Sequence, residues 1–196
     1  MIRLLCATGN AGKVREFRMA AGAAEIELLS GFSRIPPCVE DGATFEENAI
    51  RKARHYGVYA PGLLFADDSG LEVEALGGAP GVLSARFAGP EATDEANNRL
   101  LLERLGKATL RTARFVCVIA LVEAGRLRGV FHGAVEGTIA EGPRGTEGFG
   151  YDPLFYYAPF GCTFGEATAG QKFSVSHRGQ ALRAMLASID RTHMVL

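Results

Sequence analysis

A chain of 196 residues that is 47% hydrophobic and 22% charged has enough apolar material for a full core, without disulfides or a structural metal. Its net charge of −1 offers no global attraction to nucleic acid or to an anionic membrane, so an anionic ligand must be held by local geometry. No apolar run is long enough to span a bilayer, no cleavable leader pattern follows the apolar start, and a cytoplasmic location is expected.

The four cysteines form no C-x-x-C pair, and Cys6 and Cys117 sit in apolar strand-like runs, as buried reduced thiols would. His55, His132, His177 and His193 show no metal-ligand spacing.

In chain order, residues 2–7 read as a buried strand that ends in the turn Thr8-Gly9-Asn10-Ala11-Gly12. Helical spacing then covers 13–21 and stops at Gly22, and a second strand covers 25–29. Residues 31–42 form an irregular loop. Thr44 with Glu47 matches a capping box for a helix running to about Tyr56 and stopping at Gly57. A short buried strand over 63–66 ends in Asp67-Asp68-Ser69-Gly70, and residues 77–81 make a rigid turn. Thr93 caps a helix over 94–105, and runs 114–122 and 127–135 flank Gly125 as a hairpin. A glycine-rich loop covers 142–150, and a last helix runs from Ser176 or His177 to about Ile189. Early strand–helix alternation followed by a hairpin predicts an α/β fold with a mixed sheet.

Four segments carry candidate chemistry. Thr8, Gly9, Asn10, Ala11, Gly12 and Lys13 lie between a strand and a helix, where backbone N–H groups and a lysine suit a polyphosphate. The spacing is neither a Walker A loop nor a dinucleotide fingerprint, and a plain strand–helix turn fits the string equally well. Glu40-Asp41 and Asp67-Asp68 are carboxylates of the kind magnesium takes alongside substrate phosphates; each alone also reads as a solvated turn acid. Phe149, Gly150, Tyr151 and Asp152 offer two rings for base stacking and a carboxylate for a base edge, or else a packed loop. Lys172, His177 and Arg178 are basic, the last two at a helix start where cations oppose the dipole; this points to an anionic or carbonyl-bearing ligand, or else to a purely structural role. Lys52 and Arg86 are further basic candidates.

Together these segments resemble the inosine triphosphate pyrophosphatase family, across nearly the whole chain. The pattern S/T-x-N-x-x-K-x-x-E is met by Thr8, Asn10, Lys13 and Glu16. FADDSGLEVEALGGAPGVLSARFAG from Phe65 to Gly89 looks like the bacterial branch, and FGYDP (Phe149 to Pro153) and SHRGQAL (Ser176 to Leu182) follow in order. The resemblance implies an elongated two-lobed fold around a long mixed sheet, a single catalytic domain over 1–196, a site in the cleft between lobes, and a homodimer. It implies that residues 8–13 and Lys52 hold the triphosphate, and that Glu40 and Asp68 bind Mg²⁺, one ion or more per subunit, with Mn²⁺ as a substitute. Asp68 would be the catalytic carboxylate, with Ser69 on the substrate. Phe149, Gly150, Tyr151 and Asp152 would hold the base, and Lys172, His177 and Arg178 would complete recognition. Arg86 lies where basic residues do not align across the branches.

The activity implied is hydrolysis of non-standard purine nucleoside triphosphates (ITP, dITP, XTP) to the monophosphate and pyrophosphate, with no nucleic-acid or membrane partner. Two rivals are a nucleotide-binding regulatory module without turnover, which would need no Asp68, and a pyrophosphatase for other modified nucleotides.

Overall fold

The computed structural model describes the backbone of residues 2–193 and the side chains of 2–190, so Met1 and the His193 side chain lie outside the described residues. The elements are β1 (Arg3–Cys6), α1 (Ala11–Ala20), β2 (Glu25–Leu28), α2 (Phe45–Gly57), β3 (Leu63–Val73), α3 (Asp94–Leu105), β4 (Thr112–Glu123), β5 (Arg126–Ile139), β6 (Phe155–Tyr157), β7 (Cys162–Thr163), α4 (Ala169–Val175) and α5 (His177–His193). The sheet order is β2-β1-β3-β4-β5-β6-β7. β1 pairs in parallel with β2 and β3, whereas β6 runs antiparallel to β5 and β7, so the sheet is mixed as expected.

The chain forms two compact units. One comprises Met1–Asp68, Cys117–Gly133 and His177–Leu196, the other Ser69–Val116 and Ala134–Ser176. In the first unit, β1 is buried at Leu4, Leu5 and Cys6, and Phe17 of α1 meets Phe65 of β3 edge-on at 5.1 Å. The second unit has a phenylalanine core: Phe155 lies 4.5 Å from Phe115 and 4.9 Å from Phe164, ring centroid to centroid. Such pairs add about 0.5–1.5 kcal/mol each beyond the area they bury.

Most of the expected boundaries hold within a residue or two. Thr93 caps α3, its hydroxyl accepting from the Ala96 N–H at 3.2 Å. The hairpin is longer than its apolar runs, and its two-residue turn has φ of 47° at Ala124 and 73° at Gly125. Those are the signs of a type I′ turn, whose twist matches the flanking strands.

Three expectations fail. α1 begins at Ala11, because Asn10 is the cap and its side chain accepts from the Lys13 N–H; Ala11 and Gly12, expected in the turn, are therefore helical. The strand expected to end at Ala66 continues to Val73, which puts Asp67 and Asp68 mid-strand. Asp-Asp-Ser-Gly has turn chemistry, but each acid finds a partner and Gly70 sits tight against the backbone and hydroxyl of Ser84's turn. A methyl on Gly70 would stand 2.3 Å from Ser84 Oγ, the atom that accepts the Leu71 N–H. Finally, α4 was not expected at all, and α5 runs past Ile189 to His193. Thr168 and Gln171 form a complete capping box for α4, a signal that was present but masked by the glycine beside it.

Candidate active site

The first unit holds the turn at residues 8–13, the acids Glu40, Asp67 and Asp68, and the α5 start. Thr8 Oγ1 accepts the Asn10 N–H at 3.2 Å, and Asn10 Oδ1 accepts the Lys13 N–H at 3.0 Å, which holds the turn in one shape. Gly9, Asn10 and Ala11 are exposed at its rim. Lys13 does not simply project from the helix start. Its ammonium donates to Asp67 Oδ2 at 2.7 Å, and that carboxylate is almost wholly buried.

Lys52, from α2, reaches both other acids: its Nζ stands 2.8 Å from Glu40 Oε2 and 3.4 Å from Asp68 Oδ1. Asn48, one turn earlier on the same helix face, donates to Asp68 Oδ2 at 3.1 Å. Burial works against the charged form of each group here, and the partners decide the outcome. For Asp67, Lys13, Lys52 and Arg178 outweigh burial and bring its pKa down to about 2. For Asp68, burial prevails, with the negative charge of Asp67 adding to it, and the pKa is raised despite Lys52 and Lys13. Lys52 is held charged: burial opposes the ammonium, but Asp68, Asp67 and Glu40 together raise its pKa.

At the start of α5, His177 and Arg178 are both buried. Their placement at a helix N-terminus suggested a ligand, yet the structure answers the Arg178 charge internally, with Nη1 donating to Glu16 Oε2 at 2.7 Å. Burial lowers the Arg178 pKa, and Glu16 and Asp67 more than restore it. The helix start is also seated closely on β5. A methyl on Gly133 would lie 2.1 Å from the His177 carbonyl oxygen.

The second unit holds the aromatic segment. Asp152 is buried; its Oδ2 accepts the Phe149 N–H at 2.8 Å and the Lys172 ammonium at 2.5 Å. The same ammonium lies 5.1 Å from the Phe149 ring centroid, so Lys172, Phe149 and Asp152 form one unit despite their separation in sequence. The Gly150 N–H donates to Asp94 Oδ2 at 2.6 Å, and Gly150 O accepts from Asn98 Nδ2 at 3.0 Å. Tyr151 is the correction. It is 4% exposed, belongs to the phenylalanine core and donates its hydroxyl to Ser84 O at 2.8 Å, so its ring has no open face for a base. Of the two rings expected for stacking, Phe149 is the one that is partly exposed. Ser69 is half-buried on β3, and Arg86 is exposed at the end of the 3-10 turn Gly81–Arg86.

Two residues of this cluster carry no signal of their own in the sequence: Asn48 has the look of an ordinary helical residue, and Glu16 stands only as a letter of the opening motif. A buried polar or charged side chain needs a partner, but only the fold says which one.

The family model for the Ham1 family matches residues 4–188, and the chain belongs to that family. It is 50% identical over 190 residues to a dITP/XTP pyrophosphatase of Exiguobacterium sp., covering 96% of this chain and 97% of that one. It is 48% identical over 186 residues to a dITP/XTP pyrophosphatase of Geobacter sulfurreducens, covering 93% and 94%. Among solved structures, a HAM1 protein from Coxiella burnetii matches with a TM-score of 0.87 at 40% identity, covering 97% of this chain and 100% of that one. The nucleoside-triphosphatase / dITP/XTP pyrophosphatase from Mycobacterium abscessus matches with a TM-score of 0.73 at 41% identity, covering 94% and 99%.

Among the described residues, no three His, Cys, Asp or Glu side chains gather as a metal cage. Glu40 and Asp68 do converge on one cationic atom, Lys52 Nζ. Two carboxylates fit a magnesium ion that takes its remaining ligands from substrate phosphates and water, the usual habit of that ion. They do not fit an all-protein site. Among the described residues no helix is long and apolar enough to cross a membrane.

Proposed function

We infer that the chain is a nucleoside-triphosphate pyrophosphatase that converts ITP, dITP and XTP to the monophosphate and pyrophosphate, with residues 1–196 acting as one catalytic domain. The observation that carries the chemistry is the pair Asp67 and Asp68, adjacent carboxyls with opposite shifts and separate ion pairs to two partly buried lysines. Pairs of acids pushed apart in this way divide into a fixed charge and a proton acceptor. The Exiguobacterium and Geobacter relatives, both dITP/XTP pyrophosphatases, supply the substrate class.

Asp68 accepts a proton from the attacking water as its oxygen bonds to the α-phosphorus. The bond from that phosphorus to the oxygen bridging to the β-phosphate breaks, and pyrophosphate leaves. The turn at residues 8–13 and Lys52 hold the phosphate chain, and Ser69 contacts substrate. Asp67 stays ionised and fixes Lys13. Phe149 covers the base, Gly150 and Asp152 meet its edge, and Lys172, His177 and Arg178 complete recognition. Mg²⁺, or Mn²⁺ in its place, would be held by Glu40, Asp68 and the phosphates, and supplies charge neutralisation and a more acidic bound water. Positioning and charge do most of the work in reactions of this type. The assembly is a homodimer working in the cytoplasm.

A panel of ITP, dITP, XTP, ATP and GTP, with separate detection of pyrophosphate and orthophosphate, tests the reading. Pyrophosphate from the first three, silenced by EDTA and restored by Mg²⁺, is expected. Stepwise orthophosphate release, or equal rates on all five, would overturn it.

A further inference from the structure

Asn48 is 1% exposed, and both ends of its amide are engaged. Oδ1 accepts the Gly42 N–H at 2.8 Å, and Nδ2 donates to Asp68 Oδ2 at 3.1 Å. The orientation of the amide is not arbitrary, since a backbone N–H faces one end and a carboxylate faces the other. Gly42 lies two residues after Glu40, on the loop that delivers that acid. One side chain therefore spans the acidic loop and the mid-strand carboxylate.

Helix capping does not account for this residue. Thr44 Oγ1 already accepts the Glu47 N–H at 3.1 Å, and Glu47 Oε2 reaches back to the Ala43 N–H at 2.7 Å. The start of α2 is satisfied without Asn48. Nor does it serve as packing, because an apolar side chain would fill a buried helix position without needing two polar partners.

Lys52 shows why such a brace matters. It holds Glu40 and Asp68 together by charge, but a long ammonium side chain is also the one that must turn toward phosphates when they arrive. Asn48 is short and fixed on the helix, and it grips the same two elements through hydrogen bonds from an uncharged amide.

We propose that Asn48 is a positioning residue for turnover: it locks the Asp68 carboxylate in one rotation and ties it to the Glu40 loop through Gly42. The proposal rests on the pyrophosphatase reading above. Asn48→Asp is the discriminating variant. It keeps the shape and the acceptor for Gly42 but turns the donor toward Asp68 into an acceptor. Gly42→Ala approaches from the other side, since its methyl would stand 2.7 Å from Asn48 Oδ1 and push the loop away without touching Asp68.

The experiment measures kcat and KM for ITP, the Kd of a non-hydrolysable imido analogue of ITP by calorimetry, and the folded fraction. For Asn48→Asp, kcat per folded molecule should fall at least about 30-fold, with KM and Kd within about threefold of wild type. Gly42→Ala should show a smaller loss of the same kind, and Glu46→Gln, an exposed change on the same helix turn, should show none. A kcat within about twofold of wild type in folded Asn48→Asp, or a rise in KM and Kd with kcat preserved, would overturn the proposal. If the wild-type chain releases no pyrophosphate, the reading beneath fails instead, and the proposal goes with it.

Discussion

Asp67 and Asp68 are neighbours on β3, yet their carboxyl groups answer to different partners: Asp67 to the Lys13 ammonium at 2.7 Å, Asp68 to Asn48 and the more distant Lys52. The first is kept strongly acidic and the second is made more basic than a free aspartate. Successive strand residues point to opposite faces, so two adjacent acids can live in separate surroundings.

Asp68→Asn should reduce kcat by about 10²–10⁴, the usual contribution of a positioned proton acceptor, while nucleotide binding persists. Because the folded protein raises the Asp68 pKa, ionisation of this group works against folding as pH rises through that value. The amide removes that penalty, so the variant should melt higher than wild type at neutral pH. A variant that turns over normally would remove Asp68 from this role.

Asp67 has the opposite linkage. Its pKa falls from 3.8 to about 2, so its contribution to stability is fully present above pH 4 and disappears as pH drops through 2. The shift corresponds to on the order of 2 kcal/mol. Unfolding free energies measured from pH 5 to pH 2 should decline less steeply in Asp67→Asn than in wild type.

Lys13→Ala should harm both catalysis and folding. On the proposed reading it removes a phosphate contact, raising KM and lowering kcat, and it takes from the buried Asp67 carboxylate the ammonium that pairs with it. Breaking a buried pair from one side costs about 3–5 kcal/mol. The double variant Lys13→Met, Asp67→Asn should recover most of the stability but not the activity, as melting curves and ITP kinetics run side by side would show.

Tyr151 and Phe149 should separate cleanly. Tyr151→Phe loses the hydroxyl bond to Ser84 and leaves that carbonyl without its donor, at a cost of about 1–3 kcal/mol, with KM for ITP unchanged. Phe149→Ala should raise KM with little loss of stability. An increase in KM in Tyr151→Phe would restore that ring to the base site.

Arg178→Ala should reduce activity on ITP more than on ATP, because a cationic donor suits the 6-oxygen of hypoxanthine and mismatches the amino group of adenine. One such mismatch is worth about 1–3 kcal/mol. The variant also leaves Glu16 without its Arg178 partner, so Glu16→Gln in the same background should recover stability without recovering the ITP-to-ATP ratio. An unchanged ratio would confine Arg178 to a structural pairing.

Local signals were legible where a single residue decides the outcome. Thr93 ends one segment and begins α3 because its hydroxyl meets the third N–H of the helix, a matter of four consecutive residues. Asp67-Asp68-Ser69-Gly70 misled for the opposite reason. Its composition is that of a turn, and only contacts from Lys13, Asn48 and Ser84, distant in sequence, keep it extended. Tyr151 shows the same limit within the site. Nothing in Phe-Gly-Tyr-Asp distinguishes a ring facing a ligand from one whose hydroxyl is satisfied by Ser84 O, 67 positions away. Motif residues are readable from the chain; which side chain each one meets in the fold is not.

The four thiols fall into two pairs of different accessibility. Cys6 and Cys117 are buried and their pKa values are pushed up by that burial, so maleimides and other thiolate-seeking reagents should pass them by in the folded protein. Cys38 and Cys162 are both partly exposed, and they belong to different compact units. Wild-type protein thus carries one natural attachment point for a fluorophore or spin label in each unit. Each can be labelled in unmutated material, with the two buried thiols left untouched.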